Sequence, residues 1–181
     1  MSIIEKIIFT TSQQKALVFL VENTGKEFQE KEIVKKTGVK KSAVNLALRK
    51  LSENKIIKCK KIGRTSLYQA DSKNNLIREI KVLLNVSKLE PLINKLKSES
   101  IKIILFGSFA NGTNKKDSDI DLFVLTNNIN GVRKIINNSE IAERVQLIVK
   151  SPSEMIKINK NKPLLFQEIE KGKVMHEKNE D

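Results

Sequence analysis

Apolar residues recur at helical spacing three times in the first third of the chain. Ala16, Leu17, Leu20 and Val21 share one face of a helix that Thr11 or Ser12 can cap. A shorter helix is predicted from Glu30 to Thr37, with Ile33 and Val34 turned inward and Gly38 ending it, because glycine enters the left-handed region at little cost. Val39 then reads as a buried turn residue. A third helix, Lys41 to Asn54, buries Val44, Leu48 and Leu51 and leaves Lys41, Ser42, Asn45, Arg49 and Lys50 facing outward, the pattern of a recognition helix. The period then shortens to that of strands over Ile56 to Ile62 and Thr65 to Ala70, joined at Gly63-Arg64 as a hairpin. Helix, helix, turn, helix and hairpin together predict a winged helix-turn-helix over residues 1–73.

The polar stretch Asp71 to Asn75 separates this unit from a new helical pattern, Leu76, Ile77, Ile80, Leu83 and Leu84, which predicts a helical linker over residues 74–87. Ser87 and Glu90 have capping-box spacing ahead of Leu92, Ile93 and Leu96, and a break in the helix is expected near Pro91. A second domain is expected over residues 88–181. Its apolar strand, Ile101 to Phe106, leads into a small-residue turn and then an acidic strand. Arg144 to Lys150 reads as a later strand, Pro152 to Lys160 and Pro163 to Lys171 as helices, and Gly172 to His176 as a last strand with His176 at the surface.

Charge divides the chain in the same place. Of the net +13, residues 1–73 carry +9, from 16 basic and 7 acidic side chains. Between Lys40 and Arg64 nine cations, Lys60, Lys61 and Arg64 of the hairpin among them, face a single acid, Glu53. Lysine-rich faces often serve only to keep a helix in water. Here the charge falls on the recognition helix and the wing, the two elements that meet phosphates when such a fold docks on double-stranded DNA, so DNA is the expected partner. Unpaired RNA bases need stacking aromatics, and this stretch offers only Tyr68, which is expected to pack the wing onto the third helix.

The single cysteine, Cys59, excludes an internal disulfide and a Cys-based zinc site, reads as a half-buried strand residue, and makes a reducing cytoplasm the expected compartment. The single histidine has no partner for metal binding or for Ser-His-Asp catalysis. Met1 to Thr10 carries Glu5 and Lys6 within its apolar residues and lacks a small-residue cleavage site, so it does not read as a signal peptide. No apolar run is long enough to span a bilayer, and no membrane partner is expected.

The chemistry is concentrated in Ile101 to Leu122. Gly107-Ser108 follows the apolar strand, then Phe109-Ala110-Asn111-Gly112, then a polar loop into Asp117-Ser118-Asp119-Ile120-Asp121. Gly107 lets backbone approach a triphosphate while the Ser108 hydroxyl and neighbouring N–H groups donate to its oxygens. Asp119 and Asp121, two apart on a strand, turn their carboxylates to one face, where they can hold hard divalent cations. Asp117 is expected in the loop, Ser118 in a turn, and Lys115 and Lys116 in solvent. No Gly-Lys-Ser/Thr follows the turn, which excludes a P-loop, and the glycine spacing does not fit a dinucleotide fingerprint.

Gly-Ser, a glycine a few residues on, and Asp-x-Asp on the next strand together resemble the nucleotidyltransferase superfamily typified by DNA polymerase β, and most of all its prokaryotic minimal nucleotidyltransferases. The resemblance implies an α+β chain in which the winged helix precedes an α/β domain with a small mixed sheet. It also implies Mg²⁺ bound by Asp119 and Asp121 as metal ligands and catalytic acids, an NTP, ATP foremost, at Gly107 and Ser108, and transfer of an NMP to a hydroxyl. Some such proteins are antitoxins that modify a helical ribonuclease of the HEPN class, which the resemblance names as a partner.

Active members carry a third acid on a later strand. Here that position falls on Gln146, whose amide brings no charge and cannot act as a base. Glu140 and Glu143, just before the strand, offer substitutes for that acid but read first as exposed helix-end acids. Two functions therefore stay open: a DNA-binding nucleotidyltransferase, or a transcriptional regulator whose degenerate transferase domain senses a nucleotide or serves as a docking surface. Oligomeric state, acceptor and operator are not legible.

Overall fold

A computed structural model describes residues 7–155 and 162–178. The chain is α+β with two small sheets, and it divides into two compact units, Met1–Ser87 and Lys88–Asp181. Among the described residues no helix is long and apolar enough to cross a membrane.

In the first unit α1 spans Ser12–Glu22 and opens on a reciprocal cap: Gln14 N–H donates to Thr11 Oγ1 at 3.3 Å, and Thr11 N–H donates to Gln14 Oε1 at 3.0 Å. Ala16, Leu20 and Val21 are its fully buried face. β1 is the two-residue Phe28–Gln29, and α2 follows over Glu30–Thr37, burying Ile33 and ending on Gly38 at φ 68°. α3, Lys41–Glu53, buries Val44, Ala47 and Leu48 into the same core. β2 (Lys58–Ile62) and β3 (Thr65–Gln69) pair antiparallel, and β1 adds to the other side of β3, giving the order β1-β3-β2.

Three details differ from the sequence reading. β1 has no periodicity of its own; its place comes from Phe28 opposite Tyr68 and Gln29 opposite Leu67. The first strand of the hairpin starts two residues later than expected, because Ile56 and Ile57 are used to end α3. Ile56 N–H donates to Leu51 C=O and Lys55 N–H to Ser52 C=O, a Schellman arrangement with Lys55 at φ 56° and Ile57 4% exposed. Cys59 is exposed rather than half-buried, since every residue of β2 faces solvent. Tyr68 does pack on the core, and burial first, then the neighbouring Cys59, pushes its hydroxyl pKa up.

Lys55 holds a left-handed conformation that costs a side-chain-bearing residue about 1 kcal/mol. Lys55→Gly is therefore expected to raise the free energy of unfolding by about 0.5–1 kcal/mol in urea denaturation. An unchanged or lower midpoint would contradict this account of the cap.

α4 runs unbroken over Asn75–Leu96 with Pro91 inside it, so the break expected near Pro91 is absent. A proline inside a helix costs roughly 3 kcal/mol. Leu89, Leu92, Ile93 and Leu96, all at most 7% exposed, lie on either side of it, and burial is worth about 1.5–3 kcal/mol for each such side chain. Burial wins. The division between the two units falls within this helix.

In the second unit a mixed sheet has the order β6-β5-β4-β7. β4 (Lys102–Phe106) is antiparallel to β5 (Ile120–Leu125) and to β7 (Lys173–Glu177), while β5 runs parallel to β6 (Val145–Lys150). Parallel neighbours need a crossover, and α6 (Ile129–Asn137), absent from the sequence reading, provides it. Asn128 caps α6 by accepting from Gly131 N–H at 3.0 Å, and Val132 and Ile136 are its buried face. α5 is the single turn Gly107–Ala110, and α7 is Pro163–Glu170, with proline at its first position. Ile104, Phe106, Phe123 and Ile169 form the core between α7 and the sheet. Of the helix expected from Pro152 to Lys160, residues 152–155 are helical and the rest lies outside the described residues. His176, expected at the surface, is half-buried: it sits opposite Ile103, and its Nε2 is buried with no hydrogen-bond partner.

Candidate functional site

The site forms where β4 ends and β5 begins. Phe106 pairs with Asp121, which brings the next residue, Gly107, against the Asp121 side chain. Gly107 has φ 65°, and a Cβ there would lie 2.1 Å from Asp121 Oδ2. No other residue type fits that turn while Asp121 stays in place. Ser108, half-buried in the same turn, accepts Thr113 N–H at its carbonyl, closing the turn before the polar loop.

Asp119 lies one residue ahead of β5 rather than on it, because the strand ladder starts at Ile120 opposite Val145. It is exposed, whereas Asp121 is half-buried. Burial first, then the negative charges of Asp119 and Glu168, hold the Asp121 carboxyl above the ordinary Asp range. Three acids thus act on one another here, two of them foreseen. Glu168 comes from α7 and was missed, because nothing in the local sequence ties α7 to the end of β4.

Gln146 stands opposite Asp121 in the parallel ladder, the position expected of it from the sequence. Its Nε2 donates to Asp119 Oδ2 at 2.7 Å. A neutral amide therefore occupies one lone pair of Asp119 and leaves its other oxygen to an outside ligand. Glu140 and Glu143 are exposed before β6. Among the described residues no three His, Cys, Asp or Glu side chains come together as a metal site; Asp119 and Asp121 are the two carboxylates at the start of β5, with Glu168 acting on Asp121 from α7.

Arg144 is a second residue the sequence reading missed. Its Nη2 donates to Lys116 C=O at 3.1 Å and Ser118 C=O at 3.0 Å, and its guanidinium lies 5.7 Å from the Phe109 ring centre. It ties the loop before Asp119 to the start of β6. Ser118 Oγ accepts Lys115 N–H at 2.8 Å, the turn role expected of it, and Asp117, Lys115 and Lys116 are exposed.

A cavity of about 220 Å³ opens beside Gly107 and Asp121 and is lined also by Asn111, Glu168 and Lys171. Small-molecule sites commonly measure about 300–1,000 Å³, so this cavity is smaller than a typical one.

In the first unit Lys41, Ser42, Asn45, Arg49, Lys50, Lys60, Lys61 and Arg64 are all exposed, on α3 and on the β2–β3 hairpin. Two carry contacts that the sequence did not reveal: Asn45 Nδ2 donates to Glu30 Oε2 at 2.8 Å, and Arg49 lies 3.8 Å from Glu53.

The family model described as polymerase beta, nucleotidyltransferase, matches residues 87–181. No curated protein matches the sequence. Among solved structures, an IclR family transcriptional regulator from Brucella abortus aligns over 93% of this chain and 67% of its own, at 16% identity and a TM-score of 0.36, too distant to bear on fold or function.

Proposed function

The chain belongs to the polymerase β nucleotidyltransferase family, and on that premise we propose that its second unit binds a nucleoside triphosphate at Gly107 and Ser108 and transfers the nucleoside monophosphate to a hydroxyl acceptor. The contact of Gly107 with Asp121 carries this reading. It puts a turn with no side chain, open to phosphate oxygens, beside the carboxylates that a phosphate-bound cation needs. The donor set suits Mg²⁺, which binds through one or two carboxylates plus substrate phosphates. Burial first, then Asp119 and Glu168, raise the Asp121 pKa, and a bound cation would offset that crowding of negative charge. Asp119 and Asp121 would hold it, and bound there it neutralises charge on the reacting phosphate.

The chain's own residues do the rest. Gly107 and Ser108 fix the triphosphate, Gln146 holds one oxygen of Asp119, and Arg144 fixes the loop that leads into it. The acceptor hydroxyl gives up its proton to solvent water, its oxygen forms a bond to the α-phosphorus, the bond to pyrophosphate breaks, and pyrophosphate leaves with that electron pair. A protein hydroxyl is the acceptor under the antitoxin reading, with a HEPN-class ribonuclease as its source. Incubating the full chain with α-labelled ATP, Mg²⁺ and such a partner tests this. Label transfer with release of pyrophosphate supports it, and no turnover with any NTP removes it.

Gln146 favours a second reading, a nucleotide-sensing regulator without turnover. Under it the wild type binds ATP and releases no pyrophosphate, whereas Gln146→Asp gains turnover, since a placed acid or base is worth about 10²-fold or more.

In both readings the first unit is a winged helix docked on double-stranded DNA through α3 and the β2–β3 wing, supported by the exposure of the eight residues named above. A gel shift with DNA from upstream of the gene should weaken with salt. Arg49→Ala with Lys50→Ala should flatten the slope of log K against log salt by about 2. Binding that ignores both changes would count against this surface.

A further inference from the structure

Asn45 is the fifth residue of α3, in the half of a recognition helix that meets base edges in helix-turn-helix docking. Its side chain is exposed apart from one contact, Nδ2 donating to Glu30 Oε2 at 2.8 Å. Glu30 is the first residue of α2, where the helix dipole favours an acid.

A carboxylate only accepts hydrogen bonds, so Glu30 can face the amide nitrogen of Asn45 and not its oxygen. That fixes which way round the amide sits. The nitrogen carries two hydrogens, one of them committed to Glu30. With the hydrogen on the oxygen's side left free, that hydrogen and the Oδ1 lone pairs form a donor and an acceptor side by side.

In the major groove, adenine presents the complement, N7 accepting and N6 donating. Guanine sets O6, an acceptor, against the Asn45 oxygen, and neither pyrimidine offers an acceptor and a donor together. Lys41 and Arg49, four residues to either side on the same helix face, are placed to hold the backbone while the amide reads the base.

We propose that Asn45 reads an adenine in the DNA site and that Glu30 is the positioning residue that sets its amide. The inference rests on the winged-helix reading of the first unit and narrows it to a base. It also gives a role to a partly buried acid beside a mostly cationic surface: Glu30 gives up some phosphate affinity and gains discrimination.

The test is selection of duplexes from a randomised pool by the full-length protein. The wild type should enrich sites with a fixed adenine. Asn45→Ala should erase preference at that position, by about 5- to 150-fold in relative affinity, and leave the other positions unchanged. Glu30→Gln, which still accepts but no longer forbids the flipped amide, should lower the same preference while binding to unrelated DNA stays equal or tightens. Thermal melts of both variants check that α2 and α3 are intact.

Sites selected without any adenine dependent on Asn45 would overturn the inference and leave the DNA reading standing. Full adenine preference in Glu30→Gln would remove Glu30 from it. A wild type that retains no duplex removes the DNA reading and this inference with it.

Discussion

Asp121→Asn is expected to cut nucleotidyl transfer by about 10³-fold or more, while the folded protein becomes no less stable at neutral pH. The loss follows from removing one of two carboxylates that would hold the cation, a contribution of several kcal/mol to the transition state, at about 1.4 kcal/mol per tenfold. The stability follows from the raised pKa of the Asp121 carboxyl, caused by burial and by Asp119 and Glu168. A carboxyl raised on folding binds its proton more tightly in the folded state. It therefore opposes folding once pH has risen through the window between the ordinary Asp value and the raised one.

The substituted amide carries no charge and avoids that opposition. The variant should melt at the wild-type temperature or higher at pH 7, and the difference should vanish below the carboxylate range. Metal binding follows the same titration: affinity for Mn²⁺, read by electron paramagnetic resonance, should fall with acid at a higher pH than an ordinary aspartate predicts. A variant that keeps transfer, or melts well below wild type at pH 7, would show that Asp121 serves the fold rather than a site.

The second large effect is expected at Gly107. Alanine there puts a Cβ 2.1 Å from Asp121 Oδ2 and 3.0 Å from its Cγ, at a backbone φ of 65°. Asp121 is half-buried in the sheet and cannot simply step back, so either the carboxylate rotates away or the turn moves. Gly107→Ala should lose nucleotide binding by about tenfold or more, measured with a fluorescent ATP analogue, since the phosphate turn and the carboxylate can no longer share their place. Strain alone costs about 1–2 kcal/mol. Gly38 separates the two effects: its φ is 68°, and a Cβ there meets nothing within 4 Å. Gly38→Ala should destabilise the fold to a similar degree and leave nucleotide affinity untouched. Equal nucleotide affinity in both alanine variants would contradict the geometry of the site.

The elements that could be read from the sequence are those whose signals are local. α2 ends at Gly38 and α3 starts at Lys41 because their apolar spacing and their glycine lie within a few residues of each other. The turn at Gly107 and the two aspartates were legible for the same reason, and Gln146 because its strand is apolar and β-prone.

What escaped was set by distant partners. β1 is a strand only because Tyr68 and Leu67 lie opposite it. α6 follows from the parallel pairing of β5 with β6, and its Val132–Ile136 spacing was a signal that could have been used. Pro91 predicted a break, but four buried apolar side chains beside it outweighed the local cost. Glu168, Arg144 and the Glu30–Asn45 contact join residues that no motif links, so their roles appeared only in three dimensions.

The pairing of Phe106 with Asp121 also bears on the order in which the protein folds. Gly107 and Asp121 are brought together by an antiparallel hairpin whose closing loop is only Gly107 to Asp119, a short search for the chain. Gln146 and Arg144 reach the same place only after the crossover through α6 has closed and β6 has docked in parallel, a slower, non-local event. The turn and its half-buried aspartate should thus form early in the domain, and the contacts of Gln146 with Asp119 and of Arg144 with the loop should follow later. Changes at β6 should therefore mainly speed unfolding, whereas changes within the β4–β5 hairpin should slow folding itself.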